Sequence, residues 1–301
     1  MRPLSRSCLR RLGPFLGLGG LAWLLAGCGG AGRASPAEPG ATAVTPSAGP
    51  SAIQLAVVSD DFAAGRPRVP FVLFAGPQKV ADAQRVALTV FDLTPATPTP
   101  GWAGEASNYS DYQVPYWVAY PELPHAGYWG LAAEIILADG TTTQAQFAIE
   151  VAENSHSPAV GSRPPASRNR TLKTEPDLSK LTSDPTPSPG LYQMTIAETL
   201  DSGRPTVVTF ATPAFCQTEF CAPVVDSVEQ VYETFKDKAN FIHVEVYKTF
   251  NPLVLADEMS EWGFSSEPWT FVLDSTGQVA ARLGGPVSPR ELTAALTPLL
   301  P

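Results

Sequence analysis

Charge is scarce in this chain. Asp, Glu, Lys and Arg make up 16% of its residues, where soluble domains usually carry about 25%. Cations are the scarcer sign, 20 Lys and Arg against 29 Asp and Glu, for a formal net charge of −9. That balance excludes a nucleic-acid binder, which needs clustered cations to offset phosphate. Beyond the first thirty residues no run is long and apolar enough to span a membrane. A Gly-rich dinucleotide loop is missing too, so no organic cofactor is expected. Only 3 histidines and 4 cysteines are present, which leaves few places for metal or redox chemistry. What is plentiful is apolar residue, 44%, and proline, 31 of 301 residues, about twice the usual share. Such a chain buries cores and has length enough for two domains.

The first residues set the expected compartment. Arg2, Arg6, Arg10 and Arg11 form a basic stretch, and Pro14 to Leu25 an apolar one too short to span a membrane, so residues 1–27 read as a secretory signal. Leu25-Ala26-Gly27-Cys28 resembles a bacterial lipobox, which implies cleavage before Cys28 and a lipid on that cysteine. An ordinary signal peptide with a chance cysteine is the alternative. Losing residues 1–27 removes four arginines and no acid, which moves the net charge from −9 to −13. The lipid rather than charge attraction would then hold the protein to the bacterial cell membrane, on its extracytoplasmic side.

With Cys8 removed and Cys28 lipidated, only Cys216 and Cys221 remain, as Cys216-Gln217-Thr218-Glu219-Phe220-Cys221. A bridge closing so small a loop constrains the unfolded chain little, which makes it a poor staple. Redox chemistry is the first reading, with a structural disulfide and a metal site behind it.

Composition divides the rest. Residues 28–51 are almost wholly small and Pro-rich, a flexible tether of roughly 25 Å reach. Residues 52–153 read as β throughout: short runs at Ile53 to Val58, Val69 to Phe74, Val86 to Leu93, Val114 to Tyr120, Tyr128 to Leu137 and Thr142 to Val151 are punctuated by Gly, Pro and Asp. Asp139-Gly140 between the last two is a hairpin signal. This pattern suggests a sandwich, and Leu123-Pro124-His125-Ala126-Gly127-Tyr128-Trp129-Gly130-Leu131 resembles the late-strand pattern of bacterial immunoglobulin-like domains. Residues 154–189, with seven prolines, read as a linker in which Asp177 to Leu181 docks on a domain. Residues 190–301 alternate helix and strand, with helices expected at Leu191 to Leu200, after the cysteines, at Pro252 to Trp262 and at Pro289 to Leu300. The expected fold class is multi-domain, an all-β sandwich followed by an α/β domain.

This last region resembles the thioredoxin superfamily through Val207-Val208-Thr209-Phe210 entering a cysteine-bearing turn, Ala222-Pro223-Val224-Val225-Asp226 in the next helix, and Glu267-Pro268-Trp269-Thr270-Phe271-Val272-Leu273-Asp274. The resemblance implies a cis Pro268 beside the cysteines, in a groove for a client segment that Glu267 also lines. The usual motif is C-x-x-C, however, and its two positions fall here on Phe215 and Thr218. Five residues apart inside one helix, two Cα atoms stand about 8.6 Å from each other, beyond the roughly 7 Å a disulfide tolerates. Either Cys216 precedes the helix or the first turn unwinds when the bond forms.

The same C-x4-C spacing is similar to that of some peroxiredoxins, but the hydroxyl that orients peroxide there is replaced by Pro213. Sco-type copper proteins also carry a cysteine pair at this turn with a distal histidine. His243 is the one candidate here, inside a strand, so copper is possible but not favoured and no metal site is assigned. Glu245, on the same strand face as His243, is a possible proton relay, since a carboxylate on a central strand is costly unless paired or functional. Thr209 stands where thioredoxin itself keeps a buried acid. Acidic Glu219 and Glu267 would raise the thiol pKa values, and residues 190–301 hold 6 cations against 14 acids.

The resemblance therefore implies a lipid-anchored thiol-disulfide oxidoreductase of envelope proteins, with Cys216 attacking and Cys221 resolving. A Sco-like copper carrier and a redox-inactive interaction module are the rivals.

Overall fold

The computed structural model describes residues 53–301; the expected signal, Cys28 and the tether lie outside the described residues. The described residues all belong to one compact unit. The first part of it is nine strands: β1 (Ile53–Val57), β2 (Val69–Ala75), β3 (Gln78–Lys79), β4 (Arg85–Asp92), β5 (Thr99–Glu105), β6 (Ser107–Tyr109), β7 (Tyr116–Ala119), β8 (Gly127–Ile136) and β9 (Thr142–Val151). They make two sheets, β1-β2-β7-β6 with β3 added to β2, and β5-β4-β8-β9, every pairing antiparallel. Phe71, Leu73 and Trp117 of one sheet share a buried core with Leu88, Leu131 and Ile149 of the other, so the sheets stack as a sandwich. The β8–β9 hairpin turns at Asp139-Gly140 as the sequence implies, with Gly140 at φ 82°. Three strands of this part are not anticipated: the short β3 and β6, and β5, whose Thr-Pro-Gly start masks it. Strand β5 lies at a sheet edge, where Pro100 costs little pairing.

The second part contains α1 (Leu178–Leu181), a 3-10 turn (Pro189–Tyr192), α2 (Ile196–Thr199), β10 (Thr206–Ala211), α3 (Cys221–Phe235), β11 (Asn240–Glu245), β12 (Tyr247–Phe250), β13 (Leu253–Leu255), α4 (Asp257–Glu261), β14 (Trp269–Leu273), β15 (Val279–Gly284), α5 (Pro289–Leu296) and a closing 3-10 turn (Thr297–Leu299). Its main sheet has the order β11-β10-β14-β15, with β10 parallel to β11 and antiparallel to β14. A βαβ unit joined to a ββα unit through that central strand is a thioredoxin-like arrangement. Val207, Val224, Val228 and Leu292 fill one side of the sheet beneath α3 and α5. Phe210, Val244, Met259 and Trp262 fill the other beneath α4.

Two helices are shorter than the sequence implies. Leu191 to Leu200 splits at Thr195, whose side chain caps α2 in a reciprocal pair with Glu198. Pro252 to Trp262 begins instead as β13, paired to β12 around the cis Asn251-Pro252 bond, and becomes helical only at Asp257.

The Pro-rich stretch 154–189 joins the two sheet systems, yet it is packed against them rather than spaced away by solvent. Ser157 donates to Asp61, Asn169 accepts from the Ile196 N–H, and Leu181 is buried in the core under α3. The sandwich also meets the α/β part directly. Arg68 forms a buried two-pronged pair with Glu291 at 2.7 and 2.8 Å and donates to the carbonyls of Gly284 and Pro286. Gly285, at φ 77°, lets the end of β15 approach Val58 so closely that a Cβ there would stand 2.1 Å from the Val58 carbonyl oxygen.

Candidate functional site

The central strand β10 delivers the chain to a loop, residues 212–220, that carries Cys216 half-buried and ends at Cys221, the first residue of α3 and fully buried. The two sulfurs are bonded, with Cα atoms 6.0 Å apart. Of the two geometries the spacing allows, the protein uses the first: Cys216 precedes the helix, and α3 runs unbroken from Cys221. Pro223 falls in the first turn of α3, where its missing N–H costs nothing.

Three neighbours hold the loop. Phe215 packs on Tyr247 and Phe250 of the β12–β13 hairpin. Phe220 is buried among Val72, Val114, Tyr116 and Val118 of the sandwich. Glu219 pairs with Lys79 of β3 at 2.5 Å, which offsets one of the two acids expected to oppose a thiolate. Neither the sandwich contacts nor the hairpin seat carries a signal in the sequence, because both join residues far apart along the chain.

Pro268 follows Glu267 through a cis bond, as the resemblance implies, and its carbonyl accepts from the Gly285 N–H. The adjacent Ser265 and Ser266 hydroxyls both donate to Asp60. This loop puts Glu267 at the disulfide: its carboxylate and the Cys216 and Cys221 sulfurs lie within 4.8 Å of one another. Joined to each other, the sulfurs offer no thiolates in this state. Burial, with the nearby charge of Glu245 adding to it, holds the Glu267 carboxyl above the ordinary carboxylate range.

Glu245 is placed differently from the relay the sequence suggests. One carboxylate oxygen accepts from the Ser183 N–H at 2.8 Å and the Ser183 hydroxyl at 2.7 Å. Ser183 in turn accepts from the Ala214 N–H in the cysteine loop at 3.1 Å. Glu245 thus positions the loop through a serine of the Pro-rich strap, a residue sequence reasoning missed.

His243 does not bond to Glu245. Its ring nitrogens meet the Tyr192 hydroxyl at 2.7 Å and the Ala211 carbonyl at 3.1 Å, and burial lowers its pKa. The neutral tautomer that fits donates to Ala211 and accepts from Tyr192. Both nitrogens are engaged, so binding a metal would require His243 to give up one of these hydrogen bonds. A cavity of about 590 Å³ lies between the sandwich and β15; Arg66, Tyr120 and Arg282 line it, and neither cysteine does.

No family model and no curated protein matches the chain. Among solved structures it is similar to a thiol:disulfide interchange protein, a thioredoxin family protein from Chlorobium tepidum TLS, at 16% identity and a TM-score of 0.32, over 47% of this chain and 97% of that one. CopC from Methylosinus trichosporium OB3b is similar at 13% identity and a TM-score of 0.23, over 31% of this chain and 84% of that one. The PmoD soluble domain from Methylocystis sp. ATCC 49242 (Rockwell) is similar at 19% identity and a TM-score of 0.23, over 31% of this chain and 77% of that one. Likeness at this level assigns no activity.

Proposed function

We propose that this chain is a thiol-disulfide oxidoreductase of envelope proteins, lipid-anchored through Cys28 on the extracytoplasmic face of the bacterial cell membrane. In this reading residues 52–153 are an immunoglobulin-like domain and residues 190–301 a thioredoxin-like domain. The observation that carries it is the unequal pair. Cys216 is half-exposed on a loop beside the cis Pro268, while its bonded partner Cys221 is buried at the start of α3. Attack needs an accessible sulfur, and resolution needs a second one within reach. Cys216 supplies the first and Cys221 the second, and an extended client segment lies along Glu267 and Pro268.

Trapping tests this. The Cys221→Ser variant should accumulate mixed disulfides through Cys216, read by mass spectrometry, whereas Cys216→Ser should form almost none. Equal trapping by both variants would contradict these roles, and trapping by neither would leave an inert disulfide. Stoichiometric Cu(I) held by the reduced protein against a strong chelator would favour the copper reading instead.

A further inference from the structure

An acid placed against a buried leaving sulfur has a chemical use. When an external thiolate attacks Cys216, the Cys216–Cys221 bond breaks and its electron pair stays on Cys221. Cys221 is fully buried, and a thiolate there is costly unless it gains a proton or a partner. We propose that Glu267 is the general acid and base of the exchange, giving a proton to Cys221 as it leaves and taking it back when Cys221 resolves a mixed disulfide; this rests on the exchange reading above.

Most other acids and bases of the region are committed elsewhere. Glu245 spends one oxygen on Ser183, keeps the other buried without a partner, and acts on Glu267 through its charge. Glu219 is paired with Lys79, His243 with Tyr192 and Ala211, and Asp60 with Ser265 and Ser266. The Glu267 carboxylate alone has no hydrogen-bond or ion-pair partner among the described residues and lies within 4.8 Å of both sulfurs, a span that a small side-chain movement or one water closes. Burial favours the protonated carboxyl that a donor requires.

The reaction balances with a client dithiol as reductant. The client thiolate bonds to Cys216, Cys221 takes the released pair, and the Glu267 carboxylic acid becomes a carboxylate as Cys221 becomes a thiol. The second client thiol, deprotonated by solvent, then expels Cys216 as a thiolate. The client loses two electrons and becomes a disulfide, and the cysteine pair gains them. With an oxidised client every step runs in reverse.

The test is reduction of the full chain's disulfide by glutathione across pH, with rates corrected to glutathione thiolate. The wild-type constant should fall as pH rises through the Glu267 titration. Glu267→Gln should be flat and roughly 10-fold to 100-fold slower at the acidic end, at or below the low end of general-acid contributions because thiolates leave readily. Glu267→Asp should keep the slope at reduced rate, and it decides the matter if the Gln variant fails to fold. A mere negative charge would predict the opposite: Glu267→Gln faster wherever the wild-type carboxyl is ionised, and Glu267→Asp as fast as wild type. Either result overturns the assignment. A wild-type disulfide inert to glutathione at every pH would instead sink the exchange reading beneath it.

Discussion

At Glu267 the sign of the pH dependence follows from the direction of its shift. Burial first, and the charge of Glu245 second, raise its pKa above the 4.5 of a free side chain. Below 4.5 the carboxyl is protonated in both folded and unfolded chains and contributes no difference. As pH rises through the higher folded-state value, the unfolded chain ionises more easily and stability is lost. Glu267→Gln removes that loss, so urea unfolding should show the variant gaining on wild type between pH 4 and pH 8; a constant gap would refute the buried acid. His243 has the opposite slope. Burial lowers its pKa below 6.5, so its contribution is intact above about 6.5 and falls as the unfolded imidazole takes up protons on acidification. Tyr192→Phe leaves one His243 nitrogen without a partner and should cost about 1–3 kcal/mol by urea titration. A cost near zero would mean the bond is not structural.

The elements that position the site were legible in the sequence to different depths. The runs at Thr206 to Phe210 and Trp269 to Leu273 were readable because strands buried on both faces are mostly apolar. So was the helix after the cysteines, from the spacing of Val224, Val228 and Val231. Leu253-Val254-Leu255 was not, because three exposed apolar residues after a proline carry no period that separates strand from helix. Nor was the packing of residues 154–189. Its proline content marks where regular structure stops, but says nothing of Ser183 reaching both Glu245 and the cysteine loop. The loop itself predicts an asymmetric response to reduction. With the bond cut, amides of residues 214–220 should exchange faster by mass-resolved hydrogen exchange, while those from Val224 onward keep their protection. Exchange identical in both redox forms would argue against a switching pair. Phe220→Ala, which empties a buried place among Val72, Tyr116 and Val118, should cost about 3 kcal/mol.

Across the whole molecule the sandwich and the α/β part are tied by charge as well as by apolar packing. The side chains of Arg68 and Glu291 are each only 4% exposed. Removing one partner of such a pair strands the other charge, which costs about 3–5 kcal/mol, whereas replacing both by apolar residues is often neutral. Arg68→Met should therefore destabilise strongly, and Arg68→Met with Glu291→Leu should recover only part of the loss, because the Gly284 and Pro286 carbonyls and the Tyr116 hydroxyl still lose a partner, both read by denaturant unfolding. Because Lys79 and the Phe220 pocket come from the sandwich, the cysteine loop is built by both parts of the chain. Its chemistry rests on one claim, that the Cys216–Cys221 bond exchanges rather than merely holds. Equilibrium titration of the pair in thiol-disulfide buffers tests that most directly. The account predicts a reduction potential between about −120 and −270 mV, where exchange-active pairs lie, and a value below about −300 mV, typical of structural bridges, would contradict it.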